Sequence, residues 1–359
     1  MAKVLHVSDF HLLRLKTCCF SQISFKLTNG LIRNGHFVVN YPDRDLCRTF
    51  GFGHMNFWGK KKLQEHFINY CRFFKPDVLL IGHVDTIETE TFLKVREELP
   101  NLRVVQRNVD WINVESENPT VTELGKHNVA NINRRLPAVD VTLITTADKT
   151  LLSQFKRDGK QVGFLPNPVD KTVETARCFE HEELPYDVMF CAGKNSLRQF
   201  CGKDAKSEEI ARLVTQNVPD LHPLFAGLLG NPLLHANDYQ DALGTAAMGL
   251  NLSRINDTYL YTSDRLANIM GNGQLAFVDS RVGYQDLFDK DEMAFYTEPA
   301  DLYEQIAYYK KNPKARMKVA QKGWEKYHRL FNEQLIAKYV MDLALDTFNP
   351  QDYPWPTLV

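Results

Sequence analysis

Four consecutive aliphatic residues, Val78-Leu-Leu-Ile81, limit what this chain can fold into more than any other feature; Lys75-Pro76 opens the run and Gly82 closes it. A strand with no polar alternation is buried on both faces, as in a parallel sheet covered by helices on either side. Val4 to Ser8, Phe37 to Asn40, Arg103 to Gln106 and Asp140 to Ile144 read as further strands, with Pro42 to Asp45 as a polar turn after the second of them. Helical periodicity fills 21–34, 61–74 and 88–99. Strands alternating with helices predict a doubly wound parallel sheet with right-handed crossovers.

The pattern then stops and restarts. Leu165-Pro-Asn-Pro-Val-Asp170 is punctuated by proline, and a charged, poorly periodic stretch follows as far as Pro185. Beyond it, strands are expected over 186–191, 248–252 and 274–278, with a segment around 224–230 and helices over 207–216, 239–246 and 264–270. Three more helices, 299–309, 313–330 and 333–345, precede a tail bearing Pro and Trp. Dividing 359 residues by ~150 per domain also gives about two domains. The expected organisation is α/β: an N-terminal domain over 1–165, a linker over 166–185, a C-terminal domain over 186–330 facing the first across a cleft, and a helix and tail over 331–359 that crosses back to the N-terminal domain.

Composition removes several classes of function. Lys plus Arg number 43 against 44 Asp plus Glu, so the basic excess of a nucleic-acid-binding protein is missing and no nucleic-acid partner is expected. The longest apolar runs are strand-length, far below the ~20 residues of a membrane span. The start, Met1-Ala-Lys-Val-Leu-His-Val7, lacks the pattern of a signal peptide, which makes the cytoplasm the expected location. Seven cysteines without a C-x-x-C pair suit neither a disulfide framework nor a zinc site, and are read as reduced thiols.

Open parallel sheets bind ligands beyond the carboxyl ends of their strands, where backbone N–H groups and helix N-termini favour phosphate. In the second half, Gly193, Lys194 and Asn195 follow the strand ending at Cys191: Gly193 permits close backbone approach and Lys194 can neutralise a diphosphate. Arg265, flanked by Ser263 and Asp264, opens a helix, and a helix end with a guanidinium makes a diphosphate clamp.

The order of these features resembles the group-1 glycosyltransferases of the GT-B fold, nearest to the spore-maturation (CgeB-like) branch. Leu165-Pro-Asn-Pro-Val-Asp170 is similar to an interdomain P-N-G-V-D signature, with Pro168 where Gly is common; Tyr239 to Arg254 is similar to a helix and "lN" strand; Ser263 to Gly273 resembles an s-x-R-x-x-E-x-x-x-x-G donor-site helix. Phe295 to Leu302, Lys314 to Tyr327 and, in the first half, Lys26 to Val38 resemble further stretches of that family. The resemblance implies two Rossmann-like domains and transfer of a sugar from a nucleotide sugar to a glycan, lipid-linked or protein acceptor, in bacterial cell-surface polysaccharide or glycoconjugate synthesis. It places the donor on Gly193, Lys194, Asn195, Ser263, Asp264, Arg265, Asn268 and Gly273, with the nucleotide sugar as co-substrate and neither cofactor nor metal. Retaining relatives often carry Glu-x7-Glu; Leu260 and Asn268 stand at those places here.

The acceptor side falls to the first domain. Asp110 and then His83, each just past a strand, are the candidates to take the acceptor's proton, although Asp110 also reads as a helix or turn cap and His83 as a structural histidine. Asp9 and His11 lie on the same side of that domain. Their Asp-x-His spacing also resembles the opening of calcineurin-type metallophosphoesterases, but residues 82–85 (Gly-His-Val-Asp) and 125–128 (Gly-Lys-His-Asn) match the remaining ligand motifs imperfectly, and no Gly-His-x-His follows. A non-catalytic nucleotide-sugar-binding protein is the third reading. Lys60-Lys-Lys62 is compatible with contact with a membrane-bound acceptor, but three lysines are usually just a solvated face.

Overall fold

The structure is a computed structural model and describes residues 1–13, 21–51, 56–114, 119–261 and 263–359. The chain divides into two compact units. One contains β1 and the segments Ile23–Pro166 and Glu333–Val359; the other contains Asn167–Asn332.

In the first unit β1 (Lys3–Val7), α1 (Ile23–Arg33), β2 (Phe37–Tyr41), α2 (Asp43–Phe50), α3 (Asn56–Phe74), β3 (Val78–Ile81), α4 (Thr89–Glu98), β4 (Arg103–Asn108), α5 (Pro119–Arg135), β5 (Val141–Ile144), α6 (Lys149–Ser153) and β6 (Gln161–Phe164) follow one another. The strands form one parallel sheet in the order β2-β1-β3-β4-β5-β6. All four side chains of β3 are buried, as its unbroken apolar run requires. The stretch expected as a polar turn is instead the start of α2. Pro42 caps that helix and Asp43 and Asp45 occupy its first turn, where carboxylates are favoured by the exposed N–H groups. Helix α5 lies beyond the expected set because Gly125, Asn128, Ile132 and Arg135 make its buried face, so helical spacing is present without apolar periodicity.

The second unit runs through β7 (Tyr186–Cys191), β8 (Leu197–Phe200), β9 (Lys203–Lys206), α7 (Ser207–Asn217), β10 (Pro223–Ala226), α8 (Ala236–Leu243), β11 (Ala246–Asn251), α9 (Asp264–Gly271), β12 (Leu275–Asp279), β13 (Ala294–Tyr296), α10 (Pro299–Lys311) and α11 (Pro313–Leu330). Its sheet is parallel, in the order β10-β7-β11-β12-β13, around a core that includes Val188, Phe190, Phe225, Leu250 and Phe277. β8 and β9 form a separate antiparallel hairpin. Residues 167–185 are ordered within this unit: Val169 N bonds Phe331 O and Cys178 N bonds Asn272 O. The chain re-enters the first unit at Glu333, and α12 (Glu333–Ala344) lies against α1. A Cβ on Gly30 of α1 would stand 2.0 Å from the Glu333 carbonyl oxygen, so only glycine allows the two helices this close. Arg33 and Glu333 form an ion pair across that contact.

Each sheet grows outward in one direction and then in the other. The reversal falls between β1 and β3 in the first unit and between β7 and β11 in the second, and such switch points open a crevice at the carboxyl ends of the strands.

Candidate functional site

In the second unit one side chain lies across the switch point. Arg265, second residue of α9, donates from Nη1 to Leu252 O at 2.7 Å, just past β11, and its Nη2 reaches Cys191 O at 3.4 Å, at the end of β7. Its guanidinium also stands 5.4 Å from the centre of the Phe190 ring. Burial holds it below the ordinary arginine value. The three residues expected to share the donor with it, Gly193, Lys194 and Asn195, follow β7 directly and are exposed; a Cβ on Gly193 would meet nothing within 4 Å.

Two further guanidiniums, which sequence did not single out, belong to the same region: Arg198 feels the charge of Arg265 and of the exposed Arg254. Arg198 is on β8 and Arg254 follows β11; burial first, and then repulsion from Arg265 and Arg254, holds Arg198 below the usual arginine range. None of the three forms an ion pair with a carboxylate among the described residues. Beside them both amide atoms of Asn251, the Ser253 hydroxyl and Arg198 Nε are buried without a hydrogen-bond partner. Asn251 and Ser253 are 1% and 3% exposed. Uncompensated polar burial of this kind is costly. The hairpin carrying Arg198 was legible only as a turn signal, Cys201-Gly202, where φ is 51° and 79°.

Of the other donor-side candidates, Ser263 is the N-cap of α9, Asp264 is its first residue and Asn268 is buried one turn further on. Leu260, at the other place where retaining relatives carry Glu, is fully buried. Gly273 stands beyond the opposite end of α9, with φ +74°, and a Cβ there would come within 2.6 Å of the Phe179 ring. That position ends the helix and makes room for Phe179 rather than reaching the switch point.

In the first unit the structure brings His83 and Asp110 together: His83 Nε2 lies 3.6 Å from Asp110 Oδ2, an electrostatic contact too long for a hydrogen bond. Burial holds His83 below its ordinary value, with Asp110 opposing and Arg107, Arg44 and Arg135 reinforcing the shift. His83 is therefore neutral at pH 7. The Asp110 carboxylate caps no turn or helix among the described residues. Asp9 and His11 also meet, at 3.3 Å, but Asp9 is held by Arg44 Nη1 at 2.5 Å, and Arg44 grips Asp85 with bonds of 3.0 and 3.2 Å. A guanidinium thus sits where a two-metal site needs a cation, and Asn128 spends its amide on Trp111 O. Among the described residues only Asp289, Asp291 and Glu292 are grouped closely enough for a metal, and Lys322 and Lys326 already pair with them. The five described cysteines form no disulfide with one another, Cys18 and Cys19 lying outside the described residues. No helix among the described residues is long and apolar enough to cross a membrane.

Residues 216–342, which include β11, Arg254 and α9, match a protein-family model described as glycosyl transferase-like. No curated protein matches the chain. Among solved structures, HepE of Anabaena in complex with UDP-glucose is 10% identical with a TM-score of 0.58, over 97% of this chain and 100% of that one. AviGT4, a glycosyltransferase involved in avilamycin A biosynthesis, is 10% identical with a TM-score of 0.54, over 96% of this chain and 97% of that one. The N-terminal domain of trehalose-6-phosphate phosphatase from Candida albicans is 10% identical with a TM-score of 0.55, over 97% of each chain. At such identities the likeness is one of fold: two parallel-sheet α/β units of the GT-B class.

Proposed function

We propose that this chain is a glycosyltransferase that takes its sugar from a nucleotide-sugar donor, with the donor diphosphate held by the second unit at the β7/β11 switch point. The observation that carries this is the place of Arg265, a guanidinium without a carboxylate partner among the described residues, which joins the carboxyl ends of the two strands between which such folds bind nucleotides. The family match over the residues that supply Arg254 and Arg265 supports it. Arg265 and Lys194 neutralise the diphosphate and, as the glycosidic bond breaks, stabilise the charge that collects on the departing phosphate. Ser263, Asp264 and Asn268 line the start of the same helix.

On the first unit, His83 with Asp110 beside it removes the proton of an acceptor hydroxyl, and Asp9 and His11 belong to that acceptor side. The acceptor is a glycan, a lipid-linked glycan or a protein, and the product a cell-surface polysaccharide or glycoconjugate made in the cytoplasm, with the exposed Lys61 and Lys62, beside a Lys60 that pairs with Glu88, meeting a membrane surface. Membership of the spore-maturation branch belongs to the same proposal. Guanidinium and ammonium groups supply the charge that a divalent cation supplies elsewhere, so turnover survives EDTA.

The test is a thermal-shift screen with nucleoside diphosphates and nucleotide sugars, beginning with UDP and UDP-glucose because HepE is solved with both. A ligand of the folded state stabilises it by RT ln(1 + [L]/Kd), so the right donor raises the melting temperature. If no nucleotide in the panel does so, the proposal fails.

A further inference from the structure

An open parallel sheet ends in two edge strands whose outward N–H and C=O groups can pair with another chain, and folded proteins close such edges with proline, charge, bulges or a covering segment. Of the four edges of the two parallel sheets, three are closed. Along β6 the segment 357–359 runs antiparallel, with Phe164 N–H bonding Thr357 O at 2.9 Å and Val359 N–H bonding Val162 O at 3.1 Å. β10 starts with Pro223, which has no N–H, and its Phe225 O accepts from Leu228 N–H and Asn231 Nδ2, both at 3.2 Å. β13 is only three residues long, and its Phe295 O accepts from Gln305 Nε2 at 2.8 Å.

The fourth edge, β2, differs. Phe37 N–H bonds Ala2 O and Tyr41 O accepts from Ser8 N–H, so Phe37, Val39 and Tyr41 turn their backbone groups to β1, and Val38 and Asn40 turn theirs outward. No hydrogen bond among the described residues reaches those outward groups. Phe-Val-Val-Asn-Tyr contains neither lysine nor proline, and its register with β1 runs from Lys3–Phe37 to Val7–Tyr41 without a bulge. Beside this edge Phe37 is 55% exposed and Phe73, on α3, 85%. Phe73 lines a cavity of about 410 Å³ with His66, Asn69, Tyr70 and Phe74. Exposed aromatic side chains beside an unpaired edge mark an interaction surface.

The surface is complementary to itself. Helix α3 runs antiparallel to β2: His66 meets the Tyr41 hydroxyl at 2.9 Å at one end, and Phe74 meets Phe37 at 5.6 Å between ring centres at the other. Let Val39 of two copies face each other on a two-fold axis. Val38 of each then pairs with Asn40 of the other through four main-chain hydrogen bonds in all, and the Phe73–Phe74 end of one α3 comes to the His66–Tyr70 end of the other. We propose that β2 is a dimer edge, pairing antiparallel with β2 of a second copy so that the two six-stranded sheets continue as one. A lipid surface does not fit this edge, because hydrocarbon offers no partner to the outward N–H and C=O groups. The pairing uses nothing from the switch point of the second unit, so it stands or falls apart from the donor reading.

The test is sedimentation velocity of the full-length protein over a range of concentrations. Wild type is expected to form a dimer that dissociates on dilution. Phe73→Glu alters an exposed side chain, and Val38→Pro removes an N–H that β1 does not use; each is expected to weaken the dimer by on the order of tenfold or more. Diluted to monomer, Phe73→Glu should melt with wild type, which keeps the test valid should Val38→Pro fold poorly. Val39→Cys is expected to give a disulfide-linked dimer on mild oxidation where wild type gives none, since residues facing each other at that position stand about 4.5 Å apart between Cα atoms, within disulfide reach. Wild type that stays monomeric throughout overturns the proposal. So does a dimer in which Val39→Cys does not cross-link, which would use another face or register. Monomeric protein that binds phosphatidylglycerol vesicles through Phe73 would give the patch to a membrane and overturn the pairing as well.

Discussion

The two sheets share a topology and differ in what they do with charge. Both reverse their direction of growth beside the first strand, and both crowd arginines at the carboxyl edge. In the first unit part of that charge is matched: Arg44 lies between Asp9 and Asp85 and Arg48 meets Asp45, while Arg135 gives its guanidinium to the Val84 carbonyl. In the second, Arg198, Arg254 and Arg265 have no carboxylate partner among the described residues. Burial, with arginines nearby, keeps His83 of the first unit neutral, whereas arginines without carboxylates favour an anion. Under the function proposed above, one fold offers a base on one unit and a phosphate site on the other, and the difference lies in which residues follow the strands.

If that contrast is right, the two edges fail in different ways. His83→Gln should lower kcat by roughly 10²- to 10⁴-fold, the usual contribution of a general base, while the donor still raises the melting temperature as in wild type. Lost donor binding in His83→Gln would break the division of labour. Next in size is Arg265→Lys. Lysine keeps a charge but loses the planar fork, so leaving-group stabilisation should fall by about 2–4 kcal/mol, or roughly 30- to 1,000-fold in rate, with little change in folding. Steady-state kinetics beside melting curves measure it. Near-wild-type turnover in this variant would remove the guanidinium from the centre of the site.

How much of this could be read from sequence depended on whether a feature was local. Val78 to Ile81, Tyr186 to Cys191 and Pro313 to Leu330 were legible because an apolar run or period and its Pro or Gly boundaries specify the element without help from elsewhere. Arg265 was legible because it opens a helix after a strand. The partners of Arg265 were not, since Arg198 arrives on a hairpin only four residues per strand, with polar side chains that carry no period. Nor was the ion-pair chain through Arg44, which joins residues 35 and 41 positions apart. His83 and Asp110 were found separately as loop residues after adjacent strands, and the pairing of β3 with β4 brings them together.

A smaller effect separates His83 from Asp110. A base must be neutral to act, so activity falls as pH drops through the pKa of His83, and burial holds that value below 6.5. The acid limb of kcat/KM should therefore lie below pH 6.5. Asp110 is the one neighbour that raises the value, so Asp110→Asn should move the limb to still lower pH, with less than about a tenfold loss in the plateau rate. A limb that moves upward, or a plateau that falls as far as in His83→Gln, would make Asp110 the base and His83 its support.

The smallest effect comes from a buried carboxylate of the first edge that forms no ion pair among the described residues. Asp43 is fully buried at the start of α2; Thr86 donates to its Oδ2 and its Oδ1 has no partner. Burial, opposed by the Thr86 bond and by Arg44 and reinforced by Asp85 and Asp9, raises its pKa from 3.8 to about 7. An acid whose pKa is raised on folding binds more protons folded than unfolded between those two values, so its contribution to stability declines as pH rises from about 4 to about 7 and levels off above. Asp43→Asn keeps an oxygen for the Thr86 hydroxyl and removes the buried charge. The variant should melt at or above wild type at pH 8, and its melting temperature should vary less than that of wild type between pH 5 and 7. Parallel pH profiles for the two proteins would show that Asp43 is already ionised and compensated, and the first edge would then be matched throughout.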